Sequence, residues 1–383
     1  MPLAHTADLV PVEAALALLG VSRQTLYAYV SRGLVRAEAA PGDPRRSLYD
    51  KRDLDRLVER RRRGRARKDV AAAAVSFGEP VLASAITRIG DDLFYRGQNA
   101  AALAGSASLE AVAALLWEGP CAVAPAVQAP PLAASTSPIG RCLMAVAADA
   151  TTAPPSWGRA EDALFGEAAC LLRRAAEAIA GSDGTGPIHA VFARAWGLDA
   201  EGSDLVRRAL VLCADHELNP STFAVRVVAA TGASLAACVL AGLAALTGPG
   251  HGAFTDRVRA LVTESGAMRD PHRAFAARLA RGERLPGFGH RLYPGGDPRA
   301  ADLLAALGPH EQWDRLIAAG EELTGQRATI DVAMVALEHR LGLPPGAALS
   351  LFAAGRAAGW IAHALEQRKE QSLIRPRARY VGA

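Results

Sequence analysis

The densest cluster of residues able to do chemistry is Leu285–Arg299, LPGFGHRLYPGGDPR. Pro286, Gly287, Gly289, Pro294, Gly295, Gly296 and Pro298 surround His290, Arg291, Asp297 and Arg299. Glycine and proline at this density break helices into tight turns, and glycine lets a ligand approach the backbone. Imidazole exchanges protons near neutrality, and guanidinium grips a carboxylate through two parallel bonds. Such a loop suits a small acid. Taken alone, it is equally an interhelical connection with a surface histidine. Two other stretches shift that balance. Cys213–Gly252 opens with Asp215-His216-Glu217 and closes with Gly248-Pro249-Gly250-His251-Gly252. Between them run two small-residue apolar segments, each long enough for a helix. Thr329–Gly382 contains Ile330-Asp331-Val332, then AGRAAGWIAHALEQ, then IRPRARYVG. Three histidines, one aspartate and three arginines therefore stand at segment ends.

The elements that must hold these residues are helical. The chain has 383 residues, 50% of them hydrophobic, so it can bury a large core in more than one domain. Ala and Leu dominate, aromatics are few and β-branched runs are short, which favours helix. Helices are expected over Ser106–Trp117, Ala160–Gly181, Leu205–Ala214, two between Ser221 and Thr247, Arg257–Ser265, Pro271–Arg281, Ala300–Leu307, Gln312–Leu323, one beginning near Asp331, and Ala348–Arg368. Phe77–Leu93 reads as short strands or turns. The Ala- and Pro-rich Pro120–Pro138 reads as a loop. No uninterrupted apolar stretch is long enough for a membrane span, and MPLAHTADLVPVEAA lacks the pattern of a secretion signal. The cysteines at 121, 142, 170, 213 and 238 form no C-x-x-C pair. Neither a zinc site nor a disulfide framework is expected, and reduced thiols point to the cytoplasm.

Charge divides the chain. Residues 1–68 hold 15 Lys+Arg against 8 Asp+Glu, a surplus of +7, whereas the rest carries −3 of the net +4. A basic head on a slightly acidic body suggests a nucleic-acid-binding module joined to a metabolic one. In the head, Val10–Leu19 reads as a helix, Gly20-Val21 as a turn, and Ser22 as the cap of a second helix, Arg23–Ser31, ended by Gly33. Arg36–Tyr49 suits a wing, and Asp50–Arg63 a third helix. EAALALLGVSRQTLYAYVSRGLVR resembles the excisionase-like and MerR-like winged helix-turn-helix family. The resemblance implies that Arg23, Gln24, Thr25 and Tyr27 touch DNA bases and that Arg45 and Arg46 reach phosphates or the minor groove. The rival reading is a protein-interaction module with a solvated basic face. Residues 60–68, RRRRGRARK, are a phosphate-tracking extension or, more commonly for such runs, a charged linker.

The body resembles citrate synthases. That family carries DHE-N-ST-F-R, GP-HG, GFGHR-x-Y-x-x-x-DPR, an Asp early in a helix, GR-x-x-GWIAH and RPR-x-x-Y-x-G, and all six stand here in order over the C-terminal half. Tyr95-Arg96-Gly97 and Leu115–Gly119 extend the likeness toward the N-terminus, and it is faint over 120–212. The resemblance implies a mainly α-helical two-domain fold at 69–383, with a small domain at roughly 252–342, behind the winged module at 1–68. It implies condensation of acetyl-CoA with oxaloacetate in a homodimer, with no tightly bound cofactor and no metal. Asp331 becomes the base and His251 the donor to the thioester oxygen. His290 becomes the donor to the ketone. His216, Arg299 and Arg356 bind substrate carboxylates, and Arg375 reaches the partner's site. Leu285, Pro286, Gly287, Phe288 and Gly289 line the CoA.

Three departures from the family bear on this expectation. Pro294 stands where bacterial members often carry a lysine that contacts CoA phosphate. Val332 and Ala333 stand where an aromatic residue often follows the base. The faint stretch 120–212 suggests a trimmed large domain. Two further functions stay open beside citrate synthesis: 2-methylcitrate synthesis from propionyl-CoA, and a DNA-binding regulator whose body senses a metabolite.

Overall fold

A computed structural model describes residues 9–31, 34–40, 43–58, 82–122, 137–264, 269–378 and 380–382. The chain divides into two compact units, Met1–Ala83 and Ser84–Ala383.

In the first unit, β1 (Leu9–Pro11) leads into α1 (Val12–Leu19), then α2 (Arg23–Ser31), β2 (Ala37–Ala40), β3 (Asp43–Asp50) and α3 (residues 51–58). The helix expected from Val10 starts two residues later, because Val10 and Pro11 pair with Tyr49 and Leu48 as strand. Gly20 closes α1 in the left-handed conformation, φ 60°, which glycine adopts without a Cβ penalty. The Ser22 hydroxyl accepts from Thr25 N at 3.4 Å and starts α2. β3 lies centrally between β1 and β2, antiparallel to both. Ala15, Leu19, Leu26, Val35, Tyr49 and Leu54 form its core. Arg36 binds Asp50 at 2.8 Å and Asp53 at 2.9 Å, so the hairpin is fastened to α3. Gly33, the run 60–68, and residues 59–63 of the expected third helix lie outside the described residues.

The second unit opens with a meander, β4 (Thr87–Ile89), β5 (Leu93–Tyr95) and β6 (Gln98–Asn99), followed by α4 (Ala100–Ala104) and α5 (Leu109–Trp117). The stretch with faint resemblance is well built: α6 (Pro138–Thr152), α7 (Glu161–Ala180), α8 (Ile188–Trp196) and α9 (Ala200–Leu212) all feed the main core. Neither α6 nor α8 is expected from the sequence reading. Both begin at a proline, Pro138 at N1 of α6 and Pro187 at the N-cap of α8. Then come α10 (Pro220–Ala229), α11 (Leu235–Leu246), α12 (Phe254–Glu264), α13 (Pro271–Ala280), α14 (Pro298–Leu307), α15 (Glu311–Thr324), α16 (Ile330–Arg340) and α17 (Ala347–Glu370).

α17 is the axis of this unit. It packs against α5, α6, α7, α9, α10, α11, α12 and α16 and is buried without interruption from Ala347 to Leu365. Its alanines and glycines make that crowding possible. A Cβ on Gly355 would stand 2.5 Å from Leu210 O, and one on Gly359 would stand 2.3 Å from Asp215 Oδ1. The polar end of α17 is tied down by the fully buried Arg226 of α10. Its guanidinium binds Gln367 Oε1 at 2.8 Å, Glu370 at 3.2 Å, and Glu366. A buried cation without such partners would destabilise the fold strongly.

Gly359→Ala should therefore lower stability by about 1–3 kcal/mol, the cost of overpacking. Gly166→Ala, at an exposed position of α7 with nothing within 4 Å of the new methyl, should raise it by about 0.5–1 kcal/mol. Urea denaturation of both variants checks this, and a Gly359→Ala protein as stable as wild type would contradict the packing account.

Candidate functional site

Three turns and two helix starts bring the chemistry together. In the loop, Gly287, Gly289 and Gly296 have φ of 91°, 85° and 122°. Gly287 is also tight, since a Cβ there would lie 2.5 Å from Val332 Cγ2. Thr329 N donates to Gly287 O at 2.8 Å, and Gly289 N donates to Arg327 O at 2.9 Å. The loop thus runs beside the segment that starts α16, so His290 and Asp331 sit on paired stretches of backbone.

Asp297 locks this pairing. Its carboxylate accepts from Arg299 Nε at 2.9 Å and Nη2 at 2.8 Å, and from Arg299 N at 3.1 Å. It also accepts Ile330 N at 3.0 Å, at the first residue of α16. Both side chains are buried. Burial alone would raise the Asp297 carboxyl, but Arg299 outweighs it and holds the carboxyl below its usual range.

Three imidazoles converge. His216 Nε2 lies 3.0 Å from Tyr293 Oη, and the His216 and His290 rings meet edge to face at 5.3 Å. His290 Nδ1 accepts Leu292 N at 3.2 Å, so neutral His290 carries its proton on Nε2 and presents a donor. His251 Nε2 lies 2.8 Å from Ser221 Oγ. That hydroxyl also accepts Trp360 Nε1 at 3.2 Å and lies 2.7 Å from Asn219 Oδ1. Ser221 has one proton to give. When it goes to Asn219, His251 holds its own on Nε2; when it turns to His251, the imidazole proton moves to Nδ1. Burial, reinforced by nearby guanidinium groups, depresses all three: His216 well below its ordinary value, His290 below it, and His251 to about 4. They are neutral hydrogen-bonding groups at neutral pH.

Arg356 is buried in α17. Its Nε donates to Cys213 O at 2.9 Å, and its Nη2 is buried without a partner. A buried, unsatisfied guanidinium nitrogen is costly unless a ligand completes it. Asp215 is fully buried and accepts Glu217 N at 3.0 Å and His363 Nε2 at 3.4 Å. Asp331, partly exposed in the first turn of α16, accepts the Thr329 hydroxyl at 3.2 Å. Burial pushes its carboxyl up to about 6, with Arg299 restraining the rise.

Some expected site residues stand elsewhere. Arg375 is exposed beyond α17, and no described hydrogen bond or ion pair joins it to the site of its own chain. Leu285 and Phe288 are core residues, Phe288 packing 6.1 Å from Phe275. Pro286 and Gly287 are buried as well, and Gly287 O and Gly289 N are already bonded to Thr329 N and Arg327 O, so Gly289 alone of these five residues is exposed. In the first unit, Arg23, Gln24 and Tyr27 are exposed on α2, with Arg23 bonded to Glu13 at 3.3 Å. Thr25 is half-buried, its hydroxyl 3.0 Å from that of Ser22. Arg46 is exposed, and the Arg45 side chain lies outside the described residues. Tyr293, Ser221, Trp360 and His363 were not singled out from sequence. The only signal was their place inside the motifs. Among the described residues, no group of His, Cys, Asp or Glu is placed to share a metal ion, and no helix is long and apolar enough to cross a membrane.

The family model of the citrate synthase C-terminal domain matches residues 161–377. The chain belongs to the citrate synthase family. Citrate synthase 2 of Bacillus subtilis is 37% identical over 185 residues, 46% of this chain and 50% of that protein. A 2-methylcitrate synthase of Shewanella oneidensis is 33% identical over 184 residues, 45% of this chain and 49% of that protein. The chain spans about half the length of the curated relatives it matches. In structure it is similar to the citrate synthase of Thermoplasma acidophilum, solved with carboxymethyl coenzyme A and oxaloacetate. The TM-score is 0.67 at 26% identity, over 79% of this chain and 94% of that one.

A carboxyl raised to about 6 binds its proton more tightly folded than unfolded. Its cost to stability is therefore absent below about pH 4, accumulates between about pH 4 and 6, and is fully present above 6. Asp331→Asn removes that cost. It should be more stable than wild type by about 1–3 kcal/mol at pH 8, with the gain shrinking as pH falls from about 6 to 4 and absent below 4. Denaturant titrations at the two pH values test this, and a less stable Asp331→Asn protein at pH 8 would contradict it.

Proposed function

We propose that the chain condenses acetyl-CoA with oxaloacetate to give citrate and CoA. The observation that carries the reading is the pairing of Asp331 with His290 through Asp297: a base of raised pKa held beside a donor of fixed tautomer. Ionised Asp331 takes a proton from the acetyl methyl group. His251, once Ser221 turns its proton toward it, donates from Nδ1 to the thioester oxygen and steadies the enol. Donors aimed at a developing oxyanion contribute roughly 10²–10³ in rate. The enol carbon attacks the ketone of oxaloacetate while His290 Nε2–H donates to the carbonyl oxygen. Arg356 Nη2 takes a substrate carboxylate, and His216 and Arg299 complete that wall. Water then cleaves the citryl thioester and releases CoA. Gly289, the exposed residue of this part of the loop, offers backbone to the CoA chain, with the buried Gly287 shaping the turn behind it. The region around 252–342 acts as a small domain that closes over substrate and excludes water.

Propionyl-CoA is the second acyl donor we consider. Val332 packs beneath Gly287 and Ala333 is buried, so no aromatic ring follows the base. The family's named relatives include both citrate and 2-methylcitrate synthases. We further propose a homodimer in which Arg375, exposed in the single chain, enters the partner's site. The cysteines are free, which suits the cytoplasm.

Thiol release from acetyl-CoA and oxaloacetate is the deciding measurement, with propionyl-CoA in parallel. Activity should fall tenfold per pH unit below about 6, as Asp331 protonates. Asp331→Ala should abolish turnover and keep oxaloacetate binding. Mixed with Arg375→Ala chains it should regain about a quarter of wild-type activity, because half of the dimers hold one complete site. A folded wild-type protein that releases no thiol would overturn the reading.

We read the first unit as a winged helix-turn-helix that binds DNA, with α2 in the major groove and the β2–β3 hairpin as wing. Arg23, Gln24 and Tyr27 on one exposed face support this, as does the basic charge of the head. Binding to the DNA upstream of its own coding sequence should weaken steeply with salt. Arg46→Ala should reduce the log–log slope by about one. A slope unchanged in Arg46→Ala would remove that phosphate contact. A response of binding to oxaloacetate or CoA would support a metabolite-sensing regulator.

A further inference from the structure

Tyr95 lies on β5, outside the span matched by the family model, and is fully buried. Its hydroxyl is 3.1 Å from Val211 O, 3.2 Å from Leu212 O and 3.3 Å from Asp215 O. The same oxygen accepts Asp215 N at 3.3 Å. Val211 and Leu212 end α9, where the last carbonyls run out of helical partners; Val211 O also accepts Ala214 N at 3.1 Å. One phenol therefore closes a helix and opens the segment that follows.

That segment carries the acid-binding wall. Cys213 O takes Arg356 Nε at 2.9 Å, and Ala214 O takes Gly359 N at 3.0 Å. His216 follows, 3.0 Å from Tyr293. The main-chain anchor of Arg356 and the backbone of His216 thus belong to a turn that Tyr95 spans from both sides. Burial raises the phenol far above its ordinary value, so the proton it donates is always present.

We infer that Tyr95 is a positioning residue for the keto-acid half of the site: its hydroxyl fixes the Cys213–Asp215 turn, from which Arg356 and His216 are held. The inference rests on the reading of Arg356 and His216 as oxaloacetate ligands. Tyr95 touches no substrate. Its removal should loosen the acid-binding wall and leave the acyl-CoA side, built from Gly289 and His251, as it was.

The test is Tyr95→Phe, which keeps the ring and removes the hydroxyl. The KM for oxaloacetate should rise about five- to tenfold, the size of a lost buried hydrogen bond. The KM for acetyl-CoA should stay within about twofold. A merely structural loss would lower the folded, active fraction and leave both KM values alone. In a double-mutant cycle with Arg356→Lys, the two fold-changes in oxaloacetate KM should multiply to more than the double mutant shows, because both act through one anchor. If Tyr95→Phe yields little folded protein, thermal shift reads the same split on small amounts: oxaloacetate loses most of its stabilising effect and CoA keeps its own. An unchanged oxaloacetate KM and shift in Tyr95→Phe overturns this inference alone. A wild-type protein that binds no oxaloacetate overturns the functional reading and this inference with it.

Discussion

One carboxylate begins two helices. Asp297 is the N-cap of α14, accepting the backbone of Arg299, and it also accepts the first amide of α16, 33 residues further along the chain. Thr329, the formal cap of α16, makes no side-chain cap bond of its own. The helix that carries Asp331 is therefore capped from the loop that carries His290. Arg299 makes this affordable, because a carboxylate buried without a cation would sooner take up a proton than keep its bonds. Everything the loop offers depends on that pair staying ionised.

The same absence of water acts in opposite directions on the two kinds of titratable group. It strips charge from His216, His251 and His290, and it loosens the hold of Asp331 on its negative form. The Arg299 and Arg356 guanidinium groups deepen the first effect, and Arg299 moderates the second. The outcome is a pocket of neutral donors around a carboxylate close to its working range. Little charge rearrangement is then needed when an oxyanion forms, and in a dry site each fixed dipole acts at greater strength than it would in water.

Much of this was legible in the sequence, and the limits are physical. The family resemblance, and no local signature, singled out Asp331, His290, His251, His216 and Arg356; Arg356 lies inside α17, where no helix end marks it. The long helices α7 and α17 matched their expected spans to within two residues at either end. By contrast, α6 and α8 were hidden, since a proline reads as a breaker until the residues behind it show that it stands at N1 or the N-cap. Partnerships such as Ser221 with His251 and Trp360, or Tyr95 with Asp215, join residues 30 to 139 positions apart. No periodicity records them. Arg299 with Asp297 is the exception: two residues apart, it is the pair the sequence could have declared.

The burial of α17 also has a consequence for how the protein is made. Each helix it packs against, from α5 to α16, precedes it in the chain. During synthesis those helices leave the ribosome with their apolar faces prepared and no axis to close on. Until α17 follows, the faces they bury against it lack that partner, and apolar surface exposed in this way favours aggregation. Gly355 and Gly359 are what let α17 sit so deep once it arrives.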